Sequence, residues 1–161
     1  MQNRLLVAAI LAVLAAGTIS AKAGLGWTLD ECKQHYGRPI SKPIGSAGKR
    51  KAHVFFSKGY NIVVWFLHDR VSRFCYGKKS GAQLSVGEAN DLLTINVPEG
   101  VAWSTPVKDE ASDQYWYLGV KNGEDTPTYL AVQSRQSTLC IFTDEDDWYV
   151  GQKNKEVVED L

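Results

Sequence analysis

Cysteine and histidine are scarce in this chain, with three of each in 161 residues, and no two of them stand at a spacing that builds a familiar site. A structural zinc site needs two ligand pairs, and no second pair accompanies Cys32 and His35. An odd number of cysteines excludes a full disulfide framework and leaves room for one internal pair at most. The Gly-rich stretch Gly45-Ser46-Ala47-Gly48-Lys49-Arg50 lacks the four-residue gap between glycines and the Ser or Thr after Lys that a phosphate loop requires. The acidic run Asp144-Glu145-Asp146-Asp147 lacks the alternating ligands and central glycine of a calcium loop and reads as a solvated turn. The formal net charge of +0 supplies no overall basic field. These absences set the expectations: no enzyme, no metal, no cofactor and no nucleic-acid partner.

Long apolar runs are also missing, apart from Leu5 to Ala16, which is too short to span a bilayer comfortably. Asn3 and Arg4 precede that run, and Ala21-Lys22-Ala23 follows it as an A-x-A site, so residues 1–23 read as a signal peptide cleaved near Ala23. The expected location is secreted or periplasmic. No cysteine follows the cleavage point, so no lipid anchor is expected there, and no later segment reads as transmembrane.

What is present is aromatic and unevenly charged. Trp27, Trp65, Trp103, Trp116 and Trp148 all lie beyond residue 23. Residues 24–84 carry 11 Lys and Arg against 3 Asp and Glu, whereas residues 85–161 carry 5 against 15. Either the halves neutralise each other, or a basic face seeks an acidic partner.

The segment Tyr60 to Tyr76 holds two apolar runs, Ile62 to Leu67 and Val71 to Tyr76, around His68-Asp69-Arg70, which predicts an antiparallel hairpin. His53 to Ser57 predicts a preceding strand, and residues 41–52 read as a mobile basic loop. Upstream, Thr28 with Glu31 makes a capping box for a helix carrying Leu29, Cys32 and Tyr36 on one stripe and stopped by Gly37 and Pro39. The same start recurs 57 residues later: Ser85 caps, Glu88 closes the box, and Val86, Ala89 and Leu93 form the stripe. Strands at Gln114 to Leu118, Tyr129 to Gln133 and Thr138 to Thr143 follow. The expected fold is α+β: two tandem αβββ units at 24–84 and 85–150, short helices packed on one face of an antiparallel sheet, and a polar tail at 151–161.

This pattern resembles the module shared by the SmpA/OmlA envelope lipoproteins and the secreted beta-lactamase inhibitor proteins. Gly37-Arg38-Pro39, Phe55-Phe56, Ile62, Val64, Phe66 and Asp69-Arg70-Val71 carry the resemblance. It implies helices on one sheet face and a second face free for protein partners. The lipoprotein cysteine is absent and the second unit lacks a clear Gly-x-Pro, so no functional residue transfers.

The candidate functional residues come from the chain itself. Cys75 lies in Phe-Cys-Tyr and Cys140 in Leu-Cys-Ile, matching places that suggest a disulfide, with Cys32–Cys75 or unpaired thiols as alternatives. Tyr115, Trp116, Tyr117, Trp148 and Tyr149 form a possible aromatic binding surface, and Lys49, Arg50 and Lys51 a basic one. The expected function is a non-enzymatic protein-binding module, inhibitor-like or envelope-assembly-like. A carbohydrate- or surface-polymer-binding module, using the same aromatic face and meeting acidic glycan through the basic loop, is the alternative, and a thiol-dependent enzyme the third.

Overall fold

The protein is described by a computed structural model over residues 24–45, 51–134 and 137–146. The signal peptide expected at 1–23, Lys49, Arg50, Trp148, Tyr149 and the polar tail expected at 151–161 lie outside the described residues.

Helix α1 spans Leu29–Tyr36 and helix α2 Val86–Ile95. Both begin with the capping box that the sequence predicts. The Thr28 amide donates to Glu31 Oε2 at 2.7 Å, and the Glu31 amide donates to Thr28 Oγ1 at 3.3 Å. The same exchange links Ser85 and Glu88 at 2.8 and 3.2 Å. Two otherwise orphaned amides are satisfied at each helix start. Gly37, with φ of 86°, stops α1 and donates its amide to Lys33 O at 2.9 Å. Helix α1 buries Cys32, whereas α2 buries Ala89, Leu92 and Leu93. Val86, expected on the apolar stripe, is exposed: the buried face runs 89, 92, 93 and on to Asn96, and the first residue of the helix turns to solvent.

Among the described residues, nine strands make one antiparallel sheet: β1 Ile44–Gly45, β2 Lys51–Ser57, β3 Tyr60–Leu67, β4 Arg70–Lys78, β5 Val101–Trp103, β6 Val107–Asp109, β7 Gln114–Lys121, β8 Tyr129–Ser134 and β9 Thr138–Thr143. Their order is β1-β2-β3-β4-β9-β8-β7-β5, with β6 also paired to β7. The predicted loop at 41–52 is corrected at both ends, since Ile44 pairs with Ala52 and Gly45 with Lys51. β1, β5 and β6 were not anticipated: each has three residues or fewer, too short to show alternation.

Two hairpin turns depend on left-handed residues. Lys58-Gly59 has φ of 48° and 85°, and His68-Asp69 has 50° and 60°, the positive pair that matches strand twist in a two-residue turn. Histidine and aspartate tolerate that region better than most side chains, which gives His68 and Asp69 a backbone role.

Alternation along the strands sorts side chains into two layers. Phe55, Ile62, Val64, Phe66, Val71, Phe74, Tyr76, Tyr117, Leu139 and Ile141 join Cys32, Ala89, Leu92 and Leu93 in the core under the helices. Within it, Tyr76 Oη donates to Asn96 Oδ1 at 2.6 Å, Tyr36 Oη lies 3.0 Å from Tyr76 Oη, and Asn96 Nδ2 donates to Leu92 O at 2.7 Å. Burial pushes the Tyr36 hydroxyl up to about 12 and Tyr76 well above its ordinary value, so both stay neutral and free to donate. A smaller cluster, Trp116, Leu130, Val132 and Phe142, occupies the other face.

Candidate functional site

The face turned away from the helices is the candidate site. Val63, Trp65 and Leu67 alternate with core residues along β3, and all three are half-buried. Arg73, Cys75, Cys140 and Phe142 continue the layer across β4 and β9, and Leu118 adds to it on β7. At its edges Phe56 and Val107 are exposed. Among the described residues both helices lie on the opposite side, so this apolar layer has no helix over it.

Arg73 is the centre of this layer. It pairs across the strands with Trp65 on one side and Phe142 on the other. Its guanidinium carbon sits 5.2 Å from the Trp65 ring centroid and 5.0 Å from that of Phe142. A cation between two π faces is held by both quadrupoles. A bulge between Trp65/Phe66 and Val71/Arg73 makes Ser72 the extra residue and sends its hydroxyl to the same acceptor that Arg73 uses. Arg73 Nη2 donates to Asp146 Oδ1 at 2.6 Å, Nε to Oδ2 at 3.4 Å, and Ser72 Oγ to Oδ2 at 3.1 Å. Asp146 is fully buried, which corrects the solvated turn expected at 144–147 at that residue alone: Asp144 and Glu145 are exposed in the turn, and Asp147 lies outside the described residues. A buried carboxylate needs a cation and donors, and Arg73 and Ser72 provide them.

Cys75 and Cys140 stand directly opposite each other in the β4–β9 register and form a disulfide. Cys32 is free and buried under α1. Burial, with the Glu31 charge second, pushes its thiol up to about 12, so it stays protonated at neutral pH. The His35 ring packs on Trp27 and Tyr36 at centroid separations of 5.0 and 4.7 Å. Burial first, and the Lys58 charge second, lower the His35 pKa. No group of three or more His, Cys, Asp or Glu among the described residues is placed to hold a metal ion.

The aromatic surface expected at 115–117 is mostly withdrawn. Tyr117 is 2% exposed in the core and Trp116 is 5% exposed in the second-face cluster, leaving Tyr115, at 38%, as the accessible member. Strand alternation separated these side chains correctly, but both layers around β7 are packed. Of the expected basic surface, Lys51 is exposed on β2 near the sheet edge. Arg73, Trp65 and Phe142 were missed as a unit. Their signal was the cross-strand register, which a hairpin prediction gives for Trp65 and Arg73 and no local pattern gives for Phe142.

No protein-family model matches the chain. No curated protein matches it either. Among solved structures, it is similar to a crystal structure described as a cysteine-rich secretory protein from Staphylococcus aureus subsp. aureus Mu50, at 11% identity and a TM-score of 0.42. The likeness covers 76% of this chain, which spans 44% of the length of that one.

Proposed function

We propose that the chain is a non-enzymatic, extracytoplasmic protein-binding module of two αβββ units, which docks a partner protein on the sheet face away from its helices. The observation that carries this is the half-buried row Val63, Trp65 and Leu67 on β3, on a face that no described helix covers, with Trp65 backed by Arg73, whose side chain is 16% exposed. Arginine and tryptophan in such settings dominate the energetics of protein interfaces. The partner has an apolar centre with carboxylates beside it, complementing Lys79, whose ammonium lies 4.9 Å over the Phe56 ring at the basic side of the face.

Two units are supported by the twice-repeated order of helix then three long strands, and by the strand order β2-β3-β4 against β9-β8-β7. The two capping boxes, 57 residues apart, add to this. An extracytoplasmic location is supported by the Cys75–Cys140 disulfide, since such bonds persist in oxidising compartments. No described helix is long and apolar enough to cross a membrane.

A photo-cross-linking residue at Val63, on the second face, and one at Gln34, exposed on α1, test the docking surface in the producing cell. The module predicts one adduct of fixed mass from position 63, none from position 34, and loss of that adduct when Leu118→Asp is added. No adduct at position 63, or equal adducts from both positions, sinks the proposal.

A further inference from the structure

The outer edge of β2 is a second surface, basic where the apolar face is not, and it meets that face at Ile44, which stands in one cross-strand row with Ala52 and Trp65. The segment leading into β1 runs along it: the Ile40 amide donates to Val54 O at 2.8 Å, and Ile44 pairs with Ala52. This holds two isoleucines at the sheet edge with 62% and 52% of their surface in water. Arg38 and Lys42 alternate with them, and both are exposed. Lys51 stands at the start of β2 and Lys58 at its far turn. Among the described residues none of these four cations makes an ion pair, whereas Lys108 and Lys121 in the second half each have a carboxylate within 4.0 Å.

The acidic groups nearby are committed elsewhere. Asp30 holds Lys33 at 2.8 Å, and Glu31 is locked in the α1 capping box. The field of Lys33 and Lys51 also acts on His53, helping burial to lower its pKa, so the positive potential extends over the edge. The strand order places β1 to β4 on one side and β9 to β5 on the other. Because the described residues of 24–84 hold 9 basic and 3 acidic groups and those of 85–146 hold 2 and 11, the charge asymmetry becomes a dipole across the sheet. A negative surface therefore orients the molecule with the β1–β2 edge inward.

We propose that this edge is a peripheral attachment site for an anionic lipid surface, with Arg38, Lys42, Lys51 and Lys58 meeting headgroups and Ile40 and Ile44 entering the acyl boundary. Basic clusters bind anionic leaflets in a salt-sensitive way, and exposed apolar side chains add the insertion that a headgroup-only contact lacks. A purely polyanionic glycan gives the isoleucines nothing to do, which is why lipid is favoured over it. Ile44 stands in register with Ala52, Trp65 and Arg73, so its side chain flanks the second sheet face and the lipid contact adjoins the docking surface at that rim.

Co-sedimentation of the chain as isolated from the producing cell, with vesicles of phosphatidylcholine alone or containing 30% phosphatidylglycerol, tests this. Every arm is compared with variants in the same background, so residues 1–23 contribute equally. Binding is expected only to the anionic vesicles, falling at least tenfold between low salt and about 0.3 M NaCl. Lys42→Gln/Lys51→Gln is expected to reduce it about tenfold, and Ile40→Ser/Ile44→Ser several-fold, with unchanged circular dichroism. Equal binding to both vesicle types, or by both variants and the parent, overturns the site. So does retention on immobilised polyglutamate or heparin that exceeds vesicle binding and ignores the isoleucine change, since that outcome assigns the edge to an acidic protein or glycan.

Discussion

Asn96 shows what one buried amide does in this protein. It accepts from Tyr76 at 2.6 Å and from Tyr36 at 3.3 Å while donating to Leu92 O, tying α1, β4 and the end of α2 together. Asn96→Leu keeps the branched side-chain shape but removes the carbonyl that accepts from both hydroxyls, which retain only each other, at a cost of about 2–3 kcal/mol. Tyr76→Phe removes one donor and one partner together and should cost about 1 kcal/mol. Urea unfolding of the two variants measures the difference, and an Asn96→Leu loss no greater than that of Tyr76→Phe would mean the network contributes little. Asparagine at a helix end reads from sequence as a cap, and only the fold brings tyrosines from residues 36 and 76 to it. Asp146 was misread for the same reason: its partners Ser72 and Arg73 are 74 and 73 positions away.

At the scale of elements, the helix starts were legible because cap chemistry is local: Thr28 with Glu31 and Ser85 with Glu88 need only three residues of separation. All six long strands, β2, β3, β4, β7, β8 and β9, were legible by composition or alternation, whereas β5 and β6 exist because β7 offers them its edge. The α2 box also carries a pH dependence. The Lys78 ammonium, then the Ser85 amide and hydroxyl, hold the Glu88 carboxyl down at about 2, against 4.5 for an unperturbed glutamate. A depressed carboxylate contributes stability above its unfolded pKa and loses it as pH falls through the folded one. Wild-type stability should therefore decline between pH 4.5 and 2, and Glu88→Gln should flatten that decline while lowering stability at pH 7. Unfolding midpoints at pH 7, 4 and 3 check this, and parallel curves for the two proteins would remove Glu88 from the account. The second-face stack was half legible, since the hairpin prediction aligns Trp65 near Arg73 but nothing local aligns β4 with β9.

For the whole molecule, the β4–β9 pairing is the seam at which the basic and acidic parts of the chain meet, and the one described disulfide lies across it. Its cysteines are 65 residues apart in sequence, so the bond closes a loop containing the whole of α2, β5, β6, β7 and β8. Constraining a loop of that length in the unfolded chain is worth about 4 kcal/mol on loop-entropy grounds, with measured values commonly about 2–4 kcal/mol. The pairing was legible only as one alternative because matching strand positions say nothing of distance, and the decisive fact is that Cys75 and Cys140 are direct cross-strand neighbours. Cys75→Ala/Cys140→Ala should lower unfolding free energy by about 2–4 kcal/mol and leave the far-ultraviolet spectrum unchanged, because the flanking ladder from Arg73 to Gly77 remains. In the native wild type no thiol should react with Ellman's reagent, since Cys32 is buried and protonated, and one should react after denaturation. Three reactive thiols in the denatured, unreduced protein would show that the seam is held by the β4–β9 ladder and packing alone, and the variant would then unfold with the wild type.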